Sequence, residues 1–294
     1  MNTTGLTNNL LAQVARLTRH NRQGSYKTRR RYNEAMLRFC AFLAEKYRLQ
    51  NLRNVGRKHV EAYVEHMQDE GKSASTIKTD LSAIRFYHDL IPDARYRLPA
   101  NKELSLEKRK IGGVVRRWSP EEFARFLQVC ERDGHVDYIH IATLAHYAGL
   151  RIHECYRLDT AAAEAALRTG ELTFKGKGGK IRTVPLCNEA LAALLAAKEG
   201  VARGHKLFVR QDEETHIAIH RLEEYIRQVR SEVADPDRES NLTFHGLRHS
   251  FAAGEFSQQL ADGASELAAR RAVSHLMGHE RPDITKIYLA SVGV

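Results

Sequence analysis

Two arginines, two histidines and a tyrosine occupy settings in this chain that suit chemistry on a phosphodiester. Arg151 lies in Ala148-Gly149-Leu150-Arg151-Ile152-His153-Glu154, and Arg248 in His245-Gly246-Leu247-Arg248-His249. His279 follows Gly278, and Tyr288 stands nine residues later, six before the last residue. A phosphodiester gains negative charge as it passes to a five-coordinate phosphorane, so a site without metal ligands needs fixed cations aimed at the non-bridging oxygens. Guanidinium suits that work because it stays protonated and offers a planar fork of donors. Preorganised donors of this kind contribute about 3–4 kcal/mol each. A phenol, with a reference pKa near 10, needs cationic surroundings or a base to become a nucleophile. Imidazole at His245 and His279 can hydrogen-bond the phosphate or shuttle protons near neutral pH. Glu154 and His249 are expected to hold Arg151 and Arg248 in place.

No metal or cofactor is expected. His245 and His249 have helical ligand spacing, but there is no glutamate between them and no third ligand at a recognised interval. Gly176-x-Gly178-Gly179 lacks the Walker pattern. The four cysteines, Cys40, Cys130, Cys155 and Cys187, form no CxxC pair and fit apolar helix or strand positions as structural thiols.

These residues need a scaffold, and apolar spacing supplies a mainly helical one. Four stripes precede residue 91: Leu10 to Leu17 after a Thr7 cap, Tyr32 to Tyr47, Val60 to Met67, and Ile77 to Leu90 after Ser73. They predict a small four-helix bundle over residues 1–91. Pro92, Pro99 and the charged stretch from Lys102 to Lys110 break the pattern, so residues 92–117 read as a linker. Ser119-Pro120-Glu121-Glu122 opens a second domain, 118–294, with Ser119 as N-cap and Glu122 completing a capping box. Gly149 is a natural left-handed helix terminator, which places Arg151 just past a buried helix end. Residues 172–174 and 183–186 alternate as short strands around a turn bearing Lys175, Lys177 and Lys180. Helices are expected near 188–199, 216–232, 245–260, 265–277 and 283–289.

The chain has 294 residues, 43% of them hydrophobic, enough for two cored domains. Charge is uneven: residues 1–110 hold 22 Lys and Arg against 11 Asp and Glu, a net of +11, leaving −1 for the remainder. The basic half should therefore meet a polyanion. Lys27, Arg29, Arg30 and Arg31, at the start of the second helix, oppose the macrodipole there but suit a phosphate backbone. Lys78 and Arg85 are further candidate DNA contacts, as are Lys175 and Lys180. With no signal core and no apolar span, a cytoplasmic, nucleoid-associated protein is expected, with no membrane partner.

Taken in order, Gly149-Leu150-Arg151-x-x-Glu154, Gly176-Lys177-Gly178-Gly179-Lys180-x-Arg182-x-Val184-Pro185-Leu186, His245-x-Leu247-Arg248-His249 and Gly278-His279 with Tyr288 resemble the catalytic domain of the tyrosine recombinases, or integrases. The preceding bundle is similar to that family's SAM-like core-binding domain. The resemblance spans about residues 7 to 289 and implies an α+β fold, mainly α with a small β-hairpin, whose two domains form a C-shaped clamp on DNA. It implies a catalytic set of Arg151, Lys177, His245, Arg248, His279 and Tyr288. Tyr288 would form a covalent 3′-phosphotyrosyl link, and Lys177 would protonate the departing 5′-oxygen, with Lys175 and Lys180 as rivals for that role. No ATP is required, since one ester is exchanged for another. Expected partners are double-stranded DNA with inverted-repeat core sites and further copies of the chain, monomeric in solution and tetrameric in the synapse, with accessory proteins possible.

The chain departs from the common pattern in a longer stretch between Arg248 and His279, with an extra turn at Ala261 to Glu266, and in a short tail after Tyr288. A type IB topoisomerase-like enzyme and a non-catalytic architectural protein are the rival readings.

Overall fold

The computed structural model describes residues 2–19, 26–108, 114–175 and 181–278. It divides into two compact units, 1–110 and 111–294.

In the first unit, α1 (Thr3–Thr18), α2 (Tyr26–Tyr47), α3 (Arg57–Asp69) and α4 (Ala74–Asp89) form the expected bundle. Leu10, Phe39, Leu43, Tyr63, Ile77 and Leu81 are among its core residues. Helix α1 starts earlier than the expected Thr7 cap: Asn2 accepts from the Gly5 N–H at 2.7 Å, and Thr7 sits inside the helix, its hydroxyl bonded back to the Thr3 carbonyl. Asparagine is the stronger N-cap, so the helix extends to it. Ser73 caps α4 as expected. The buried Asp80 accepts two bonds from Arg38 and one from the Tyr63 hydroxyl, so its desolvation is compensated. Part of the stretch expected as linker packs on this unit. Leu98 and Leu104 join its core, and Arg85 holds them there by donating to the Pro99 carbonyl and to Asn101 Oδ1. Pro92 stands just past the end of α4, but nothing in it prevents the chain beyond from burying its leucines.

The second unit opens with α5 (Pro120–Arg132), carrying the expected Ser119–Glu122 capping box. Next come α6 (Val136–Ala148), the single turn α7 (Ile152–Cys155) and α8 (Thr160–Thr169). The strands β1 (Glu171–Lys175) and β2 (Ile181–Pro185) pair antiparallel, with Phe174 opposite Arg182. Helices α9 (Asn188–Lys198), α10 (Thr215–Val233), α11 (Phe244–Ala261) and α12 (Glu266–Leu276) follow. Helices α11 and α12 are joined by a short turn in which Gly263 takes a positive φ and Ser265 caps α12. Helix α8 has no counterpart in the apolar spacing, because its alanines give no contrast between faces; Asp159 caps it and Gly170 ends it. Cys40, Cys130 and Cys155 are buried, and burial pushes the Cys40 and Cys130 thiols up to about 12. Cys187 differs from expectation, lying exposed at the N-cap of α9. Among the described residues no helix is long and apolar enough to cross a membrane. The expected helix at 283–289 and the hairpin turn at 176–180 lie outside the described residues.

One backbone position fixes the approach to Arg151. Gly149 ends α6 at φ 60°, and a Cβ there would collide with the Phe251 ring of α11. Gly149→Ala therefore combines left-handed strain with overpacking and should cost about 2–4 kcal/mol of unfolding free energy. A denaturant midpoint equal to that of the parent would contradict this close approach.

Candidate active site

The site is built where the end of α6, the start of α11, strand β2 and the end of α12 converge. Immediately after Gly149 the chain turns into α7, with Arg151 as its N-cap. Glu154, one turn on, is buried at 5% exposure and reaches back to Arg151 twice: Oε2 accepts the Arg151 backbone N–H at 2.8 Å, and Oε1 accepts Nη1 at 2.8 Å. Arg182 Nη2 donates to Oε2 at 2.6 Å from the neighbouring strand. Burial pushes the Glu154 carboxyl up, but the charges of Arg182, Arg151 and Arg248 and the Arg151 N–H outweigh it, holding the group below the usual carboxylate range.

Helix α12 ends with carbonyls that have no partner in the helix, and arginines meet them. Arg182 Nη1 donates to the Leu276 carbonyl at 2.8 Å, and Arg151 Nη2 to the Met277 carbonyl at 3.2 Å. Arg248 donates to the Met277 carbonyl and to the Gly149 carbonyl. Cations at a helix C-terminus satisfy the last carbonyls and oppose the negative end of the macrodipole. Gly278, at φ 64°, follows as a left-handed terminator. Two guanidinium groups thus meet on one oxygen, at Met277. Arg248 is fully buried, whereas the Arg151 side chain keeps 30% of its surface exposed.

Arg248 sits one turn into α11, so His245, Arg248 and His249 share its N-terminal end. The two imidazoles lie edge to face, with ring centroids 5.0 Å apart. Desolvation, then His245 and the cations Arg116 and Arg248, push the buried His249 down to about 3. His245 is exposed at its rim. The protein around its ring and the charges of Arg248, Arg116 and Arg151 lower its pKa as well. Arg151 and His245 open onto a surface cavity that His153, His220, Arg227 and Arg230 also line. The α11 terminus is fastened from the start of the unit: Trp118 Nε1 donates to the Thr243 carbonyl at 2.9 Å, and the Trp118 N–H donates to Ser250 Oγ. Gly246 leaves room for this, since a Cβ there would strike the Arg116 carbonyl and the Trp118 ring.

Of the residues expected from sequence, Arg151, Glu154, His245, Arg248 and His249 are brought together. Lys177, Lys180, His279 and Tyr288 lie outside the described residues. Lys175 is exposed at the end of β1, and Lys27 and Arg31 are exposed on α2, where Arg30 pairs with Glu34. Arg29 lies in the same first turn of α2. Lys78 donates to the Glu107 carbonyl, and Arg85 to Pro99 and Asn101, so both brace the 99–107 segment of their own unit. Arg182 was given no role by sequence reasoning. Its signal was present: it is in phase with Val184, the core-facing residue of β2, and a charge in that phase demands a partner.

A sequence model described as the phage integrase family matches residues 116–292, and one described as the phage integrase N-terminal SAM-like domain matches residues 17–91. Tyrosine recombinase XerC of Vibrio vulnificus is 30% identical over 230 residues, spanning 74% of this chain and 67% of that protein. XerC of Natranaerobius thermophilus is 29% identical over 263 residues, spanning 84% of this chain and 82% of its own. Among solved structures, a lambda integrase tetramer bound to a Holliday junction matches with a TM-score of 0.64 at 18% identity, over 94% of this chain and 76% of that one, a likeness of fold.

The His249 environment makes stability depend on acid. Its folded pKa, about 3, lies below the unfolded value of about 6.5, so the unfolded chain binds the extra proton first. Its contribution is complete above about pH 6.5 and is lost as pH falls toward 3. In thermal melts between these limits, His249→Gln should show a shallower fall of Tm with pH than the parent; parallel curves would contradict the assignment.

Proposed function

Because the chain belongs to the phage integrase family and is a tyrosine recombinase, an enzyme of site-specific DNA recombination, we propose a residue-level course for its reaction. Tyr288 Oη attacks the scissile phosphorus. A bond from phosphorus to the tyrosine oxygen forms as the bond to the 5′-oxygen breaks, leaving a 3′-phosphotyrosyl link and a 5′-hydroxyl. Lys177 gives its proton to the departing 5′-oxygen. A histidine, His245 or His279, takes the phenolic proton. Burial and the nearby arginines lower the pKa of His245, which keeps its imidazole neutral but makes it a weaker base than an ordinary histidine, so His245 is better suited to hydrogen-bonding the phosphate. Attack by the 5′-hydroxyl of a partner strand reverses the steps and reseals the DNA. One phosphoester replaces another throughout, so no nucleotide cofactor is consumed.

The observation that carries this reading is the single Met277 oxygen held by Arg151 and Arg248, with Glu154 bracing Arg151. Two forked cations on one oxygen is the arrangement a non-bridging phosphate oxygen needs as charge builds on phosphorus. Since Arg248 has no exposed surface, the incoming phosphate must replace the carbonyl, exchanging one acceptor for a better, charged one.

DNA contact is assigned to Lys27, Arg29, Arg30 and Arg31 at the start of α2 and to Lys175 and Lys180. Lys78 and Arg85 are left out because they brace the 99–107 segment. The proposed substrate is a pair of inverted-repeat core sites. Two duplexes present four scissile phosphates, so the working assembly is a homotetramer formed on DNA from free monomers, in the cytoplasm and on the nucleoid. Accessory proteins would choose between integration, excision and resolution.

A nicked suicide substrate tests the nucleophile: Tyr288→Phe should bind its site and yield no covalent adduct on a denaturing gel. Adduct at the parental level would assign the attack to another residue. Replacing Lys27, Arg29 and Arg31 together with alanine should flatten the plot of log affinity against log salt by about 0.9 for each phosphate that is no longer neutralised. An unchanged slope would remove α2 from the interface.

A further inference from the structure

Arg182 is an ionised side chain on the core-facing side of a two-stranded sheet, at 8% exposure. Burying a charge there is costly unless its partners are complete. Among the described residues, partners come from three directions. Glu154 Oε2 accepts from Nη2 at 2.6 Å, the Leu276 carbonyl accepts from Nη1 at 2.8 Å, and the Phe174 ring lies under the guanidinium with its centroid 5.4 Å away. Gly278 is pressed against the stem, since a Cβ there would come within 2.9 Å of Arg182 Cδ. The side chain therefore joins strand β2, the α7 turn that carries Arg151, and the end of α12 just before residue 279.

Glu154 is the joint through which this matters. It has two oxygens and three donors, two from Arg151 and one from Arg182. Remove the Arg182 guanidinium and the buried carboxylate is deprived of the strongest of the charges that keep it ionised, while its Oε2 is left without the strand-side donor. The fork that aims Arg151 then has a neutral or reoriented acceptor. Lysine cannot substitute, because one ammonium on a flexible stem does not span Glu154 and the Leu276 carbonyl as a planar fork does.

We propose that Arg182 is a positioning residue for strand cleavage: through Glu154 it orients Arg151 on the scissile phosphate, and through the Leu276 carbonyl it ties strand β2 to the end of α12. This rests on the recombinase reading above and adds to it a residue that need not touch DNA.

The test is single-turnover adduct formation on a suicide half-site, with the ordinary phosphate and with a methylphosphonate at the scissile position. The methylphosphonate lacks the negative charge that Arg151 serves to neutralise. Arg182→Lys should form adduct about 10- to 100-fold more slowly on the phosphate, the cost of a misplaced catalytic group, with half-site affinity unchanged. Its defect should shrink on the methylphosphonate, which a general loosening of the fold would not produce. Glu154→Gln, isosteric with the parent, should give the same pattern and serves as the test should Arg182→Lys fail to fold; the double variant should be no slower than the slower single. A parental rate in Arg182→Lys, or a defect of equal size on both substrates, overturns the proposal. If the parent protein itself forms no adduct, the recombinase reading falls and this inference falls with it.

Discussion

A buried carboxylate shared by two guanidinium groups is the constraint on which the catalytic unit depends. Glu154 is buried, and the charges of Arg182, Arg151 and Arg248 with the Arg151 N–H hold it as an anion against desolvation. Such a pair is weak evidence for stability, because desolvation offsets much of the attraction, but breaking one partner leaves an uncompensated charge and is costly. The network therefore acts as a geometric requirement. The Glu154, Leu276 and Met277 partners of Arg151 and Arg182 are all in place only when helix α7, strand β2 and the end of α12 arrive together.

The end of α12 shows how the fold turns this requirement into chemistry. A helix terminus presents carbonyls that need donors, and here the donors are guanidinium groups. The same groups suit a phosphate oxygen, which in the proposed reaction would take the place of the Met277 carbonyl. Gly149, Gly246 and Gly278 permit the close approaches, each where a side chain atom would meet Phe251, Trp118 or Arg182.

The N-terminal unit solves a smaller version of the same problem. Asp80 is buried under Arg38 and Tyr63, which ties α2, α3 and α4 together. Its excess positive charge is distributed unequally in purpose: Lys78 and Arg85 hold backbone carbonyls of the segment after Pro99, while Lys27 and Arg31 face solvent. Charge counting saw one basic surface. Only the hydrogen bonds separate cations that brace the fold from cations that remain available.

Short-range physics was legible in the chain itself. The bundle stripes, the Ser119–Glu122 box, the Gly149 terminator and the hairpin follow from periodicity, capping and turn chemistry within a few residues, and the ordered motifs carried the family and the positions of Arg151, Arg248 and Glu154. Helix α8 escaped because alanine has high helix propensity but too little hydrophobic contrast to mark a face. Arg182 was visible as a charge in a core phase, yet its partner could not be named from the sequence. The contacts that decide the site join residues 28, 99 and 126 positions apart: Arg182 to Glu154, Arg248 to Gly149 and Arg151 to Met277. No local propensity or spacing encodes such pairings. They exist only once packing has brought α7, β2, α11 and α12 together, and at that depth each buried charge must be matched by whichever donor or acceptor the fold has placed beside it.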